Sequence, residues 1–516
     1  MIAHGANRIE QLVLASAARH TERAALATPT QQVTYGRLAA AAERGGGLLT
    51  AAGCRPGEAV LLTAGNRPED IVWELAIWLA AGVVVPVSPT TPPEVVRRIA
   101  RRTGARFLAG ADTPESWQEL FGSGPSGEGL RALAGTAGSR PAELDADQAL
   151  VIFTSGSTGE PKGVVLSHRV LVSKLRAIQQ VLPFAPDTVT LQVLQLHFSF
   201  GQWTSLLTLA TGGLLQLRPA FSATRFLRDL TSMRIDRTAV VPSMLRIILR
   251  TLDGAEDGED LLRRIAARCS PRLWIAGGEP LPGPLGRQVR ARFPHSLITD
   301  VFGLSESATS DLILTPDRYD QEAGTLGRPT PGVRIRVVDA AGADCGPGDA
   351  GELWIRTEHL MTGYLDDPAA TAATLTGGWL RTGDRARRRS DGLLELAGRA
   401  KDLIVRGGSK ISPLEVENVF SAHPDCAGCV AVGVPDDLLG ERLHLLLMPR
   451  PGRAVDPVRL LDWSRERLER HKTPDRVHVV DDLPLGRTGK VDRGLARTVA
   501  LSAPAAREGD RGCGDG

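Results

Sequence analysis

Cysteine is scarce: six residues in 516. That is too few for a disulfide framework, so a reducing, cytoplasmic setting is expected. Net charge is nearly absent as well. Lys+Arg 61 against Asp+Glu 59 leaves +2, which gives no broad field for nucleic acid or a membrane surface, and neither is an expected partner. No run reaches the ~20 apolar residues of a membrane span. The nearest, "IVWELAIWLAAGVVVPV" at 71–87, holds Glu74 and closes near Pro86; it reads as a buried helix running into a strand. The opening "MIAHGANRIEQLVLASAARH" lacks the basic start and unbroken apolar stretch of a secretory signal. Two nucleotide signatures are also missing, the Walker spacing G-x-x-x-x-G-K-[ST] and the dinucleotide G-x-G-x-x-G.

What is there is globular: 42% hydrophobic and 23% charged. The length exceeds the ~250–300 residues at which single cores stop growing, so at least two domains are expected. Strand-like runs alternate with amphipathic ones: "AVLLTA" (59–64), "RPEDIVWELAIWLAAG", "VVVPVS" (83–88), "PPEVVRRIARRTG", then "LLQLRP", "RTAVVPS" and "RLWIAGG". This βαβ rhythm implies mostly parallel sheets covered on both faces. Around 325–356, short alternating strands between Gly, Pro and Asp turns imply a small antiparallel sheet or barrel. Beyond about residue 402 the pattern becomes α+β, in "SPLEVENVFSAHP", "CVAVGVP" and "DPVRLLDWSRERLERH". The expected fold is therefore α/β: a large N-terminal domain of doubly wound sheets plus a small β-barrel over 1–401, then a small α+β domain over 402–500. Residues 121–145 read as a surface connection and 501–516 as a disordered tail.

The concentrated chemistry lies in "TSGSTGEPKG" (154–163). A strand, "ALVIFT", runs into Gly156, Gly159 and Gly163, whose freedom lets backbone N–H groups converge on phosphate oxygens. Thr154, Ser155, Ser157 and Thr158 add hydroxyls, and Lys162 a point charge. Cys426 and Cys429 form a C-x-x-C near His423. Without a second ligand pair, two small buried residues entering a strand is the favoured reading over a redox or zinc site.

The ten-residue loop resembles the signature of the adenylate-forming superfamily: acyl- and aryl-CoA synthetases, peptide-synthetase adenylation domains and luciferases. Further segments resemble that family's motifs in their order. "GGEP" (277–280) resembles the adenine-side segment, with Gly277, Gly278 and Glu279. "VFGLSESA" (301–308) brings Phe302, Gly303 and Leu304. There Ser305 replaces the usual threonine at the α-phosphate, and Glu306 stands as the magnesium ligand. "GELWIR" and "WLRTGD" follow, the latter with Asp384 for the ribose hydroxyls. "GRAKDLIVRGGSKISPLEVE" (398–417) brings Arg399 to the ribose, Asp402 as hinge, and Gly407–Gly408 as the face for the thiol step. "PLGRTGKVDR" (484–493) carries Lys490, the lysine for adenylation. The resemblance spans about residues 8–497. It implies ATP and Mg²⁺ as cofactors, an acyl-AMP intermediate, and a small domain that alternates between two half-reactions.

The segment resembling the family's acid pocket is "LHFSFGQW" (196–203). Amino-acid-activating relatives carry an aspartate where Ser199 stands, so α-amino acids are not expected substrates: an ammonium buried there would lack a partner. His197 falls where relatives place a histidine near the reacting carboxylate, or is held by nearby backbone. Phe198, Phe200 and Trp203 form an aromatic wall favouring an aryl or short acyl acid, or are core packing, and the resemblance places Gly201 and Leu304 in the same pocket. Arg385, Arg387, Arg388 and Arg389 read as a solvated basic turn in preference to a CoA-phosphate site. The resulting expectation is an acid:CoA ligase, monomeric or homodimeric. Loading a carrier-protein phosphopantetheine in trans, or a nitrogen nucleophile, is the alternative; a non-catalytic AMP-binding protein is the alternative of another class.

Overall fold

Unbroken apolar runs make strands buried on both faces, and two such sheets dominate the chain. The computed structural model describes residues 5–110, 114–121, 129–134, 144–154, 161–486 and 489–502. It divides into a large unit, Met1–Pro242 with Glu256–Leu396, and a small unit, Ser243–Ala255 with Ala397–Gly516.

In the large unit, a seven-stranded sheet is centred on Ala59–Thr63 and Val83–Val87, every residue of which is buried. These two strands run parallel. Gln148–Thr154 lies beside Val83–Val87, and Lys162–Ser167 then turns back antiparallel to it. Gly363–Tyr364 adds an edge strand to Lys162–Ser167 from two hundred residues downstream. Pro86 sits inside Val83–Val87, where a missing N–H would normally break a ladder. Pro86 stands opposite Leu62 of Ala59–Thr63, and the pairing to Gln148–Thr154 is at Val84, ahead of the proline.

The nine-stranded sheet carries Val189–Gln192, Arg237–Val240, Leu273–Gly277 and Leu297–Phe302 as parallel neighbours. Gly277 pairs with Val301, so the carboxyl ends of the last two strands open on one edge. Such edges are where open α/β sheets bind ligands. The 325–356 region forms part of an antiparallel five-stranded sheet, built from Arg334–Val338, Ala350–Arg356, Trp379–Arg388, Leu375–Thr376 and Leu394–Arg399. The division between the units falls in the last strand.

The small unit has its own sheet, in the order Ser409–Ile411, Ile404–Arg406, Gly440–Pro449, Cys426–Asp436, with Arg476–Val479 parallel to Gly440–Pro449. Cys426 and Cys429 lie in its core with Phe420, Leu445 and Leu447, and Cys429 Sγ donates to the Glu417 carbonyl at 3.5 Å. Among the described residues no group of three His, Cys, Asp or Glu is placed to hold a metal.

Candidate active site

The strands Gln148–Thr154 and Lys162–Ser167, which flank the glycine- and hydroxyl-rich stretch, pair antiparallel. Thr154 and Lys162 face each other in register, and Thr154 Oγ1 lies 3.5 Å from the Lys162 carbonyl. Ser155, Gly156, Ser157, Thr158 and Gly159 lie outside the described residues. Gly163 is needed for packing: a Cβ there would stand 3.1 Å from Leu365 and 3.2 Å from Phe153. Behind the hairpin, Ser167 caps the helix His168–Val181 by accepting from Val170 N.

Lys162 projects over the ring of Tyr364, its Nζ 4.7 Å from the centroid. The Tyr364 hydroxyl donates to Glu306 Oε1 at 2.7 Å. Burial, then the Glu306 charge, push this phenol above its ordinary pKa, so it remains a donor at neutral pH. Glu306 sits on the short turn Ser305–Ser307, just past the strand Leu297–Phe302. Beside it a cavity of about 360 Å³ has Glu306, Glu352, Tyr364, Thr374, Arg381 and Thr382 among its lining residues.

The Glu306 turn is tightly constrained. Ala308, Thr309 and Ser310 follow at φ 53°, 68° and 50°, three consecutive non-glycine residues in the left-handed region. Asp311 closes the turn, its N–H donating to the Phe302 carbonyl at 2.7 Å. The fully buried Asp311 carboxylate takes Lys174 Nζ at 2.8 Å on one oxygen and the Ser307 hydroxyl on the other. Gly303 is obligatory, since a Cβ would lie 2.1 Å from Ser310 N.

Ser305 Oγ lies 3.2 Å from Ser199 Oγ, which brings the segment 196–203 to the Glu306 turn. Ser199 begins the helix Ser199–Thr211. Gly201 lets that helix start, because a Cβ would strike the Gln195 carbonyl at 2.2 Å. His197 packs on Phe198 with ring centroids 4.0 Å apart and is held by the backbone of Ala64. Burial pushes its imidazole down to about 4, so it is neutral at pH 7. Phe200 stacks on Trp203 at 5.8 Å, and Trp203 meets Phe184 edge-on at 6.4 Å. Phe200 also lies against Gly277, where a Cβ would come within 3.2 Å of its ring. Gly277, Gly278 and Glu279 leave the strand Leu273–Gly277 at the same edge, Gly278 at φ 79°.

Asp384 is buried in the strand Trp379–Arg388, its N–H donating to Thr382 Oγ1 at 3.0 Å. The nearby arginines are engaged within the same surface. Arg387 and Arg389 pair with Glu395, Arg385 donates to the Ala350 carbonyl, and Arg388 to that of Gly392.

In the small unit, Gly407 and Gly408 form the two-residue turn between Ile404–Arg406 and Ser409–Ile411, both at positive φ (54° and 81°). That turn favours glycine at both positions. Asp402 Oδ2 lies 3.6 Å from Arg493 Nε, and Arg399 ends the strand Leu394–Arg399. Lys490 sits in a small loop closed by the Leu485–Val491 bridge and by Gly486 N donating to the Lys490 carbonyl at 2.8 Å.

Residues 13–365 match the family model of the AMP-binding enzyme, and 415–490 match that of its C-terminal domain. The chain belongs to the AMP-binding enzymes. A probable CoA ligase, CCL9, of Humulus lupulus is 34% identical over 72% of this chain and 71% of that protein. A feruloyl-CoA synthase of an Amycolatopsis species is 31% identical over 81% and 84%. Among solved structures, an anthranilate CoA ligase, AuaEII, in complex with anthranoyl-AMP superposes with a TM-score of 0.80 at 22% identity, over 96% and 97% of the chains. This AMP-binding enzyme is thus an AMP-forming acid–thiol ligase of the adenylate-forming superfamily that uses ATP.

Two participants escaped the sequence reading. Tyr364 is one of only three tyrosines, and it lies in "MTGYL", between two motifs that were recognised. The Lys174–Asp311 pair joins two residues that each look like surface decoration on their own. Only their burial, at 1% and 0% side-chain exposure, reveals them.

Proposed function

We propose that this enzyme converts an aryl or short acyl acid, and not an α-amino acid, to its CoA thioester through the acyl-AMP. The observation that carries this reading is the Ser199–Ser305 contact of 3.2 Å. A neutral hydroxyl and a neutral His197 on this segment support an acid site without a partner for an ammonium. An uncharged floor suits a substrate whose only charge is its reacting carboxylate. The buried Phe200–Trp203 stack supports a short or flat acid, in line with the feruloyl-CoA synthase among the relatives.

The carboxylate attacks the α-phosphorus, so anion approaches anion, and catalysis rests on neutralisation and positioning. Ser305 donates to the α-phosphate. The hairpin hydroxyls and Lys162 hold the departing pyrophosphate. Asp384 and Arg399 receive the ribose, and Gly277–Glu279 lie along the adenine. Glu306 fits Mg²⁺: a single hard carboxylate beside a phosphate site is how that ion is commonly held. When bound, the ion neutralises developing charge on the phosphates. Lys490 bridges carboxylate and α-phosphate in the adenylating arrangement. Alternation about Asp402 then withdraws it and presents Gly407–Gly408 to the thiol.

The test is acid-dependent ATP–pyrophosphate exchange over benzoates, cinnamates, short acyl acids, fatty acids and amino acids, followed by chromatography of the product with CoA or a carrier protein. An aromatic or short acid giving a CoA thioester is the expected result. Fastest exchange with an α-amino acid, or acylation of a carrier alone, overturns the reading.

A further inference from the structure

The segment Met361–Leu365 straps the phosphate hairpin to the Glu306 turn. Thr362 N donates to Val165 O at 2.9 Å and Leu365 N to Gly163 O at 2.7 Å, both on the hairpin's returning strand. On the other side, Met361 N donates to the Glu306 carbonyl at 2.8 Å. The Tyr364 hydroxyl donates to the Glu306 carboxylate at 2.7 Å. Glu306 is therefore held at two points, backbone and side chain, by one short segment. Tyr364 is itself fixed: it is buried, and its N–H donates to Thr371 Oγ1 at 2.8 Å.

The same ring also holds a cation. Lys162 Nζ lies 4.7 Å from its centroid, within the range of a cation–π contact. Without an intervening group, a lysine and a glutamate lining one anion site would close into a direct ion pair. That pair would occupy the carboxylate oxygen and the charge that the nucleotide needs. Among the described residues no carboxylate pairs with Lys162. The phenol satisfies both ions separately, one on its face and one at its hydroxyl. With Oε1 accepting from Tyr364, Oε2 would be the oxygen available to a metal.

We propose that Tyr364 is a positioning residue that preorganises both halves of the metal–pyrophosphate site: it presents one oxygen of Glu306 to the divalent cation while seating Lys162 for the phosphates. This rests on the assignment of Glu306 to Mg²⁺ made above. The hydroxyl meets Glu306 and the Thr374 side chain, and the ring meets the lysine, so two substitutions separate hydroxyl from ring. Tyr364→Phe removes only the hydroxyl; Tyr364→Leu removes the ring as well.

The experiment titrates Mn²⁺ by electron paramagnetic resonance in the presence of ATP, with exchange assayed over a range of Mg²⁺. The wild type is compared with Tyr364→Phe, Tyr364→Leu and Glu306→Gln. Tyr364→Phe should weaken Mn²⁺ binding about tenfold, the scale of one hydrogen bond to a charged group. Its melting temperature should be unchanged, and its exchange rate should return to within about twofold of wild type at high Mg²⁺. Tyr364→Leu should also raise the KM for pyrophosphate, by roughly threefold from the lost ring contact. If Glu306→Gln weakens Mn²⁺ and Tyr364→Phe does not, the inference about Tyr364 is overturned while the site assignment stands. Should Glu306→Gln leave Mn²⁺ binding intact, the assignment itself is wrong. A Tyr364→Phe defect that no Mg²⁺ concentration rescues would mean the hydroxyl serves only the fold.

Discussion

Removing the charge of Lys174 should damage the enzyme far more than a typical lysine substitution would. Lys174 and Asp311 meet at 2.8 Å with 1% and 0% of their side chains exposed. Lys174→Met leaves the Asp311 carboxylate buried without its counter-charge, satisfied only by the neutral Ser307 hydroxyl and Leu304 backbone. Breaking a buried pair from one side costs on the order of 3–5 kcal/mol. The damage is local as well. Asp311 anchors Ala308, Thr309 and Ser310 in left-handed backbone, a conformation costing roughly 1–3 kcal/mol at each residue. Freed of its anchor, the turn relaxes and carries Glu306 with it. Each single variant, Lys174→Met or Asp311→Leu, should lower the melting midpoint of the large unit by about 5 °C or more and suppress pyrophosphate exchange. The double variant should recover much of the midpoint, because an apolar replacement of a whole buried pair is often neutral. It should not recover the exchange rate, since the anchor is still gone. Single variants melting within about 1 °C of wild type, or a double variant equal to the sum of the two, would refute the reasoning.

Lys490→Ala should lower adenylation by about 10²–10³-fold, the scale of losing one charge-stabilising donor, while thioester formation from supplied acyl-AMP persists; equal loss of both steps contradicts the division of labour. Gly303→Ala places a Cβ 2.1 Å from Ser310 N, so the backbone must move and exchange should collapse even if the chain folds; a fully active variant would contradict this geometry. Ser199→Asp puts a carboxylate beside Ser305, where like charges about 4 Å apart repel by about 4 kcal/mol at an effective dielectric of 20. Exchange with the native acid should drop at least a hundredfold, and unchanged exchange would remove Ser199 from the acid site. Burial lowers His168 to about 3 and His197 and His359 to about 4, from 6.5. The unfolded chain then binds more protons below pH 6.5, so stability rises with pH there. The melting midpoint should fall as pH drops from 6.5 towards 4, and a flat profile would count against these buried neutral imidazoles.

Much of this was legible in the sequence, for reasons that can be named. Ala59–Thr63, Val83–Val87 and Leu273–Gly277 are apolar throughout because both faces of their sheets are covered. Ser305 and Glu306 were legible through the resemblance of their segment to a family motif, and the stretch leading to Lys162 by its glycine and hydroxyl content. The strap is another matter. Gly363–Tyr364 is a two-residue strand, paired across two hundred residues of sequence, and nothing in so short a stretch carries a period. The left-handed run Ala308–Ser310 contains no glycine to betray it. Its conformation is imposed by Asp311 and Lys174, a tertiary constraint with no local signature. Trp203 and Phe200 were readable as aromatics but not as a stack leaning on Phe184 and Gly277.

Acid-dependent ATP–pyrophosphate exchange with the purified enzyme, run side by side on substituted benzoates, cinnamates, short acyl acids and the proteinogenic amino acids, tests the central claim most directly. The account predicts Mg²⁺-dependent exchange with an aromatic or short acyl acid and none above background with any α-amino acid. Exchange driven best by an α-amino acid, or by no acid at all, would contradict it.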